Sequence, residues 1–129
     1  MKYAMKIWAF GTLVFLSVYF PMAVYVRDHA KVPDPAVMQG PFKQFMKTHL
    51  YVWYDRERDV QGADSAEDPK RSKLRLFEDQ TELGPAHSSA NDIIAHGRGR
   101  FVHWSDTIQF STSDNSDPNT NGRVYRIER

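Results

Sequence analysis

The chain has 129 residues, and its 17 basic and 16 acidic side chains leave a formal net charge of +1. That near balance argues against the strong positive field by which proteins attract nucleic acid, so we expect no nucleic-acid partner. The sequence contains no cysteine, which excludes disulfides, thiolate chemistry and cysteine-ligated metal centres. The length predicts a single small folded domain.

The first element in chain order is an uncharged apolar run at residues 7–26, which follows a short leader at residues 1–6. A helix of about twenty apolar residues spans the ~30 Å hydrocarbon core of a bilayer. The run is longer than the apolar part of a signal peptide and ends without a small-residue cleavage pattern. The sequence therefore predicts a single transmembrane helix at residues 7–26, with Pro21 kinking it near its end.

The charges beside this run predict its orientation only weakly. Lys2 and Lys6 precede it, whereas Arg27, Lys31 and Lys43 follow it, so the positive-inside rule is nearly balanced. A short leader with two lysines is nevertheless typical of an uncleaved signal anchor. The predicted location is the bacterial inner membrane, with the N-terminus in the cytoplasm and the C-terminal domain in the periplasm.

Residues 27–73 are predicted to form a juxtamembrane linker, an amphipathic helix and a charged loop. The linker contains three prolines and a glycine within residues 31–41, which is typical of turns. Large side chains then recur at helical spacing, which favours a helix packed on the domain core or lying among lipid headgroups. These side chains are Phe42, Phe45, Met46, His49, Leu50 and Trp53.

A strand at residues 50–55 is the alternative to the end of this helix, because tyrosine, valine and tryptophan have high strand propensity. The next segment, residues 55–73, is dense in charge and almost free of apolar side chains. Such a composition buries too little surface to offset the entropy of ordering, so it predicts an exposed loop.

Residues 74–129 are predicted to form a small domain with a mainly antiparallel sheet and one short helix. Alternating apolar residues predict strands at 74–78, 101–104, 107–112 and 123–127. Ser89, with Asp92 three residues later and Gly97 as the stop, predicts a helix at 89–96. The predicted fold class is therefore α+β, with a single N-terminal transmembrane helix followed by this domain.

One segment of the domain satisfies the calcium-loop pattern D-x-[DN]-x-[DN]-G-x5-E. The candidate ligands are Asp117, Asn119, Asn121 and Glu128, whose carboxylate and amide oxygens are those that calcium prefers. The flanking segments are strand-like rather than helical, so we expect a structural turn without metal, in which Gly122 adopts a positive φ. His87, His96 and His103 could also gather round a metal, but their spacing matches no ligand motif.

Three motifs in the domain carry a resemblance to known proteins. They are Glu78-Asp79 with Leu83-Gly84-Pro85-x-His87, then Gly99-Arg100-Phe101-x-His103-Trp104, and finally FSTSDNSDPNTNGRVY at residues 110–125. The segment resembles a C-terminal accessory segment of bacterial glycosyltransferase-like, methyltransferase-like and uncharacterised proteins, although Gln80 replaces the usual glycine. The resemblance implies an accessory module found beside catalytic domains.

Two functions are compatible with these patterns, and neither requires catalytic residues or a cofactor. The first is a non-enzymatic, single-pass accessory subunit of a larger bacterial membrane complex, of photosynthetic or respiratory type. The apolar span would supply its contact with the membrane, and the candidates for binding partner subunits are Phe42, Phe45, Trp53 and Trp104. The alternative is a membrane-tethered module that recognises carbohydrate through Trp104 and neighbouring polar groups.

Overall fold

The computed structural model describes residues 2–29, 34–55 and 61–129, and within the first helix it describes the side chains of residues 12 and 14–27. The chain divides into two compact units, Met1–Pro33 and Asp34–Arg129. The elements in chain order are α1 (Lys2–His29), β1 (Lys43–Gln44), β2 (Tyr51–Tyr54), β3 (Arg75–Glu78), β4 (Thr81–Glu82), α2 (Ala90–His96), β5 (Phe101–Trp104), β6 (Thr107–Phe110) and β7 (Tyr125–Glu128).

The first unit consists of helix α1, which includes Pro21 within its length. Over residues 2–29, 34–55 and 61–129, no helix is both long enough and apolar enough to cross a membrane. The uncharged run is interrupted by Thr12, Ser17, Pro21 and two tyrosines, which transfer into hydrocarbon less favourably than leucine or isoleucine. The predicted transmembrane helix is therefore wrong, and so is the predicted single-pass location in the bacterial inner membrane.

The second unit contains two antiparallel sheets. The larger sheet has the strand order β1-β2-β6-β5, and the smaller sheet has the order β4-β3-β7. In the larger sheet, Tyr51 and Phe101 both lie opposite Phe110, whereas Trp53 and His103 both lie opposite Ile108. Because side chains alternate between the two faces of a strand, these six residues share one face, and all six are buried.

The hydrophobic core includes this buried face and the inner face of the smaller sheet. Leu76 of β3 lies opposite Ile127 of β7, and both belong to the same buried cluster as Phe110 and Ile108. The rings of Phe42, Phe110 and Tyr125 contact one another at centroid distances of 5.3 to 5.5 Å, in edge-on and tilted arrangements. Aromatic rings prefer such arrangements to direct face-to-face stacking. A core built from both sheets makes the unit a small β-rich domain.

Helix α2 packs near the opposite face of the larger sheet. Its Ile93 is fully buried and forms a second cluster with Leu50 and Val102, with Val52 packed against them. Ser89 caps the helix by accepting a hydrogen bond from the backbone N–H of Asp92, and Gly97 follows the last residue with a φ of 57°. The predicted helix at 89–96 is confirmed. It covers one end of the outer face of the larger sheet, which is the face that carries Val52 and Val102.

The amphipathic helix predicted at residues 42–53 is wrong, because this segment folds as the hairpin of β1 and β2. The strand alternative applies instead, since β2 buries Tyr51 and Trp53 and turns Val52 and Tyr54 to the other face. Phe45 and Met46 lie in the connecting loop, where Met46 and Lys47 adopt positive φ values. Residues 34–73 that the structure describes belong to the domain rather than to a separate linker.

The charged segment predicted as an exposed loop, residues 55–73, lies partly outside the described residues, which resume at residue 61. From there the chain follows turns, and Asp64 forms a parallel bridge with Trp104 beside β5. Asp55, Ala63, Asp64 and Ser72 are buried. The prediction of an exposed loop is therefore wrong for these four residues.

Candidate functional site

The four predicted partner-binding residues divide into two groups. Phe42 and Trp53 lie in the hydrophobic core, and the Trp53 indole N–H donates to the Gln39 carbonyl at 3.1 Å. Phe45 and Trp104 are exposed to solvent over nearly half their surface. Only Phe45 and Trp104 can therefore offer their rings to a ligand or a partner while the domain is folded.

The four calcium-ligand candidates are not brought together. Asn119 faces Phe42, with its Oδ1 accepting from the Phe42 N–H at 2.7 Å. The Asn121 amide donates to the Tyr125 hydroxyl at 2.7 Å, whereas Glu128 lies on β7 and pairs with Arg75. Among the residues that the structure describes, no three histidine, cysteine, aspartate or glutamate side chains form a group that could hold a metal.

The turn at residues 114–122 is held by side chains that bond to nearby backbone. Asp114 Oδ1 accepts from the N–H of Ser116 at 3.1 Å, and Asp117 Oδ1 accepts from the N–H of Asn119 at 2.9 Å. Gly122 has a φ of 73°. The two aspartates thus form Asx-type bonds of the kind that fix a turn, and the predicted positive φ of Gly122 is confirmed.

The three histidines of the sequence analysis occupy different environments, and within the described part of the chain they form no group that could hold a metal. His96 is the exposed last residue of α2, and His103 is buried on β5 with its Nδ1 at 3.0 Å from the Ser72 hydroxyl. His87 differs from both, because its Nδ1 lies 2.7 Å from Oδ2 of the buried Asp64. This aspartate–histidine pair forms part of the wall of a cleft of about 360 Å³.

Asp64 is fixed from several directions, which in turn fixes His87. The Asp64 N–H donates to the His103 carbonyl at 2.8 Å, and the Asp64 Oδ1 accepts from the Ser72 N–H at 2.8 Å. A carboxylate can only accept, so Nδ1 of His87 carries the proton in the Asp64–His87 bond. The Nε2 atom of His87 therefore remains for other interactions, as an acceptor when the ring is neutral and as a donor when it is charged.

The loop before α2 holds His87 against β5. The Ser88 N–H donates to the Phe101 carbonyl at 3.0 Å, and the Phe101 N–H donates to the Pro85 carbonyl at 3.3 Å. His87 itself has a φ of 57°, an uncommon conformation for a residue with a side chain. The hydrogen bonds of its two neighbouring segments to β5 hold the backbone of His87 in this conformation.

The opposite wall of the cleft is the outer face of the larger sheet. Val102 and Gln109 lie opposite each other there, and Trp104 lies further along β5 on the same face. Ser88 and Ser89 also line the cleft, but their hydroxyls donate to the Pro85 carbonyl at 2.7 Å and to Asp92 Oδ2 at 2.8 Å. The cleft thus combines an indole, an oriented imidazole and an amide, with both serine hydroxyls engaged in local bonds.

A second polar network surrounds Glu78 and joins separate segments of the domain. The buried Glu78 carboxylate accepts from the Tyr125 hydroxyl at 3.0 Å and from Arg123 at 3.2 Å, and it forms a short bond with the Ser113 hydroxyl. Burial raises the pKa of Tyr125 above its usual range, and the neighbouring Glu78 charge acts in the same direction. These bonds tie the 113–123 segment to β3.

The three motifs that carry the resemblance are brought together in these two places. His87, His103 and Trp104 lie at or beside the cleft, whereas Glu78, Ser113 and the Arg123–Tyr125 stretch form the second network. Comparisons with models of protein families, with curated proteins and with solved structures found no match for this chain.

Asp64 and Gln109 are site residues that the sequence analysis missed. Asp64 lies in a segment whose composition resembles solvated loops, and its partner His87 is 23 residues away. Gln109 is one polar position in an alternating strand, where a polar residue ordinarily faces solvent. The alternation did contain a usable signal, since it places Gln109 on the same face of β6 as Thr107 and on the face opposite to Ile108 and Phe110.

Proposed function

We propose that the Asp34–Arg129 domain is a non-enzymatic recognition module that binds carbohydrate in the cleft lined by Trp104, His87 and Gln109. The observation that supports this proposal most directly is the half-exposed Trp104 beside a buried Asp64 that orients His87. Binding sites typically pair an aromatic surface with a few fixed polar groups, which is the composition of this cleft.

The chemistry of a sugar matches both components of the cleft. A pyranose ring presents an apolar C–H face, which can stack on the indole of Trp104, and a rim of hydroxyls that both donate and accept. The Gln109 amide offers donors and an acceptor, and His87 Nε2 offers a further hydrogen-bonding atom. The bond from His87 to the buried Asp64 supports a preorganised site, since an imidazole fixed in advance loses less entropy when ligand binds.

The engagement of the two serines favours binding over nucleophilic catalysis. A catalytic serine needs its hydroxyl within hydrogen-bond reach of a base. The Ser88 and Ser89 hydroxyls instead donate to the Pro85 carbonyl and to Asp92. The resemblance of this segment to accessory modules found beside catalytic domains also favours binding over catalysis.

A glycan array followed by isothermal titration calorimetry tests the proposal on the full chain. We expect Trp104→Ala to weaken sugar binding by roughly tenfold or more, because the apolar face of the sugar would no longer be buried against the indole. His87→Ala should also weaken it. Phe45→Ala is the matched control, because Phe45 is equally exposed but lies outside the cleft. Equal loss in both aromatic variants, or no sugar binding at all, would refute the proposal.

An accessory subunit that binds another protein is the second candidate, and the β1–β2 loop supports it. Phe45 and Met46 are exposed there, with Lys43 and Lys47 beside them. Aromatic residues and methionine are enriched at protein interfaces, so the exposed Phe45 and Met46 are the part of this loop that supports a partner. In this case co-purification at fixed stoichiometry with a larger complex should be lost in Phe45→Ala/Met46→Ala and kept in Trp104→Ala, the reverse of the carbohydrate result.

A further inference from the structure

The outer face of the larger sheet carries a second exposed aromatic side chain in line with Trp104. In β2, Tyr54 lies opposite Thr107 of β6, and Thr107 lies opposite Trp104 of β5. Opposed residues in antiparallel strands share a face. Tyr54, Thr107 and Trp104 therefore form one row across three strands, with an aromatic ring at each end.

The spacing of this row follows from the sheet itself. Neighbouring strands lie about 4.8 Å apart, so residues on β2 and β5 are separated by about 10 Å across β6. Such a distance is comparable with two pyranose rings of an extended oligosaccharide. The Thr107 hydroxyl between them donates to the Trp104 carbonyl at 2.8 Å, which keeps this end of the hairpin closed.

The row is open to solvent, although the other end of the same face is covered. Val52, Gln109 and Val102 form the preceding row, where Leu50 and Ile93 pack against Val102. Tyr54 is 59% exposed and Trp104 is 43% exposed. The face therefore continues from the cleft, past Trp104, to Tyr54.

We propose that this row extends the carbohydrate site, so that the domain takes an oligosaccharide with one sugar on Trp104 and a later sugar of the same chain on Tyr54. The inference rests on the proposed function and adds its ligand class. A single sugar would use only the cleft and Trp104, whereas a longer chain would also cover Thr107 and Tyr54. Affinity should consequently rise with chain length until both rings are occupied.

Calorimetry on the full chain with cello-, chito- and malto-oligosaccharides of one to six residues tests this inference. We expect the affinity of the series that binds to rise with length, and Tyr54→Ala to lower affinity for the long members roughly tenfold, through the loss of buried apolar contact, while leaving the single sugar unchanged. Tyr54→Phe keeps the ring and should keep the affinity. Because Tyr54 is exposed, Tyr54→Ala should remain folded, which thermal unfolding checks.

The outcomes separate the two proposals. Affinity that is independent of chain length, or a Tyr54→Ala loss that is equal for one sugar and for six, overturns the extended site and leaves the cleft as proposed. If none of the three series binds with an affinity that depends on Trp104, the proposed function and the extended site both fail. A length-dependent rise that persists in Tyr54→Ala also overturns the extended site, since the added contacts would then lie elsewhere.

Discussion

At the residue scale, Asn119 acts as a clamp between segments that are 77 residues apart. Its Oδ1 accepts from the Phe42 N–H at 2.7 Å, and its Nδ2 donates to the Phe42 carbonyl at 3.0 Å. Both backbone groups of a buried residue are thereby satisfied. We expect Asn119→Ala to lower the free energy of unfolding by about 1–3 kcal/mol, as measured by urea denaturation. The neighbouring exposed Thr120→Ala is the control, and an equal effect of both would contradict the clamp.

The ion pair between Asp114 and Arg123 makes the free energy of unfolding depend on pH under acidic conditions. Hydrogen bonds from the Arg123 guanidinium and then from Ser116 hold the pKa of Asp114 well below its usual range. Because an unfolded aspartate has a pKa of about 3.9, this pair stabilises the fold above about pH 4, and the contribution is lost as the pH falls from there through the folded pKa. Asp114→Asn should therefore flatten the fall in unfolding free energy below about pH 4. Denaturant titrations at several pH values check this, and an unchanged slope would contradict it.

The Asp64–His87 pair shows which part of the site could not be predicted. The composition of residues 55–73 predicts a charged, solvated segment. It does not distinguish Asp64 from the exposed residues of that segment. Burial of Asp64 depends on its bridge to Trp104 and on bonds from residues on either side, none of which follows from local sequence. Trp104 itself could be predicted as a ligand-binding residue, because a tryptophan at the end of an alternating strand beside a turn is readily exposed.

At the scale of elements, Gly97 ends helix α2 under a steric constraint that Gly122 does not share. A Cβ at Gly97 would lie 2.1 Å from Asn115 Oδ1, whereas one at Gly122 would meet nothing within 4 Å. Asn115 cannot move away freely, since its Oδ1 accepts from the Arg98 N–H at 2.7 Å. We expect Gly97→Ala to cost about 2–4 kcal/mol of unfolding free energy and Gly122→Ala about 1 kcal/mol. Chemical denaturation compares them, and equal costs would show that backbone strain alone matters.

The sequence predicted those helices and strands whose positions depend on residues close to them in the chain. Helix α2 has its cap at the first residue of the predicted segment and its stop directly after the last one, and strands β3, β5, β6 and β7 lie within the predicted alternations or within one residue of them. The β1–β2 hairpin could not be separated from a helix, because Phe42, Phe45 and Trp53 happen to recur at helical spacing. Met46 and Lys47 form the turn with positive φ values. Methionine and lysine are not typical turn residues, so the sequence does not predict this conformation.

At the scale of the whole molecule, the division of the chain predicts independent folding of residues 34–129. This unit contains both sheets and both hydrophobic clusters. A domain with its own core folds without its neighbour. Residues 34–129 expressed alone should therefore keep the urea midpoint of the full chain to within experimental error. A clearly lower midpoint would show that residues 1–33 contribute to the stability of the domain.

The position of β7 has a consequence for how fast the domain reaches its native state. This strand pairs with β3, and it also exchanges backbone hydrogen bonds with the segment round Met38, since Met38 N–H donates to the Tyr125 carbonyl and Ile127 N–H donates to the Ala36 carbonyl. Each contact closes a loop of roughly fifty to ninety residues, and the entropy of closure is lost before the contacts compensate for it. High contact order of this kind slows folding towards milliseconds or seconds. The local β5–β6 hairpin can form within microseconds, so the joining of β7 to both neighbours is the step expected to limit the rate.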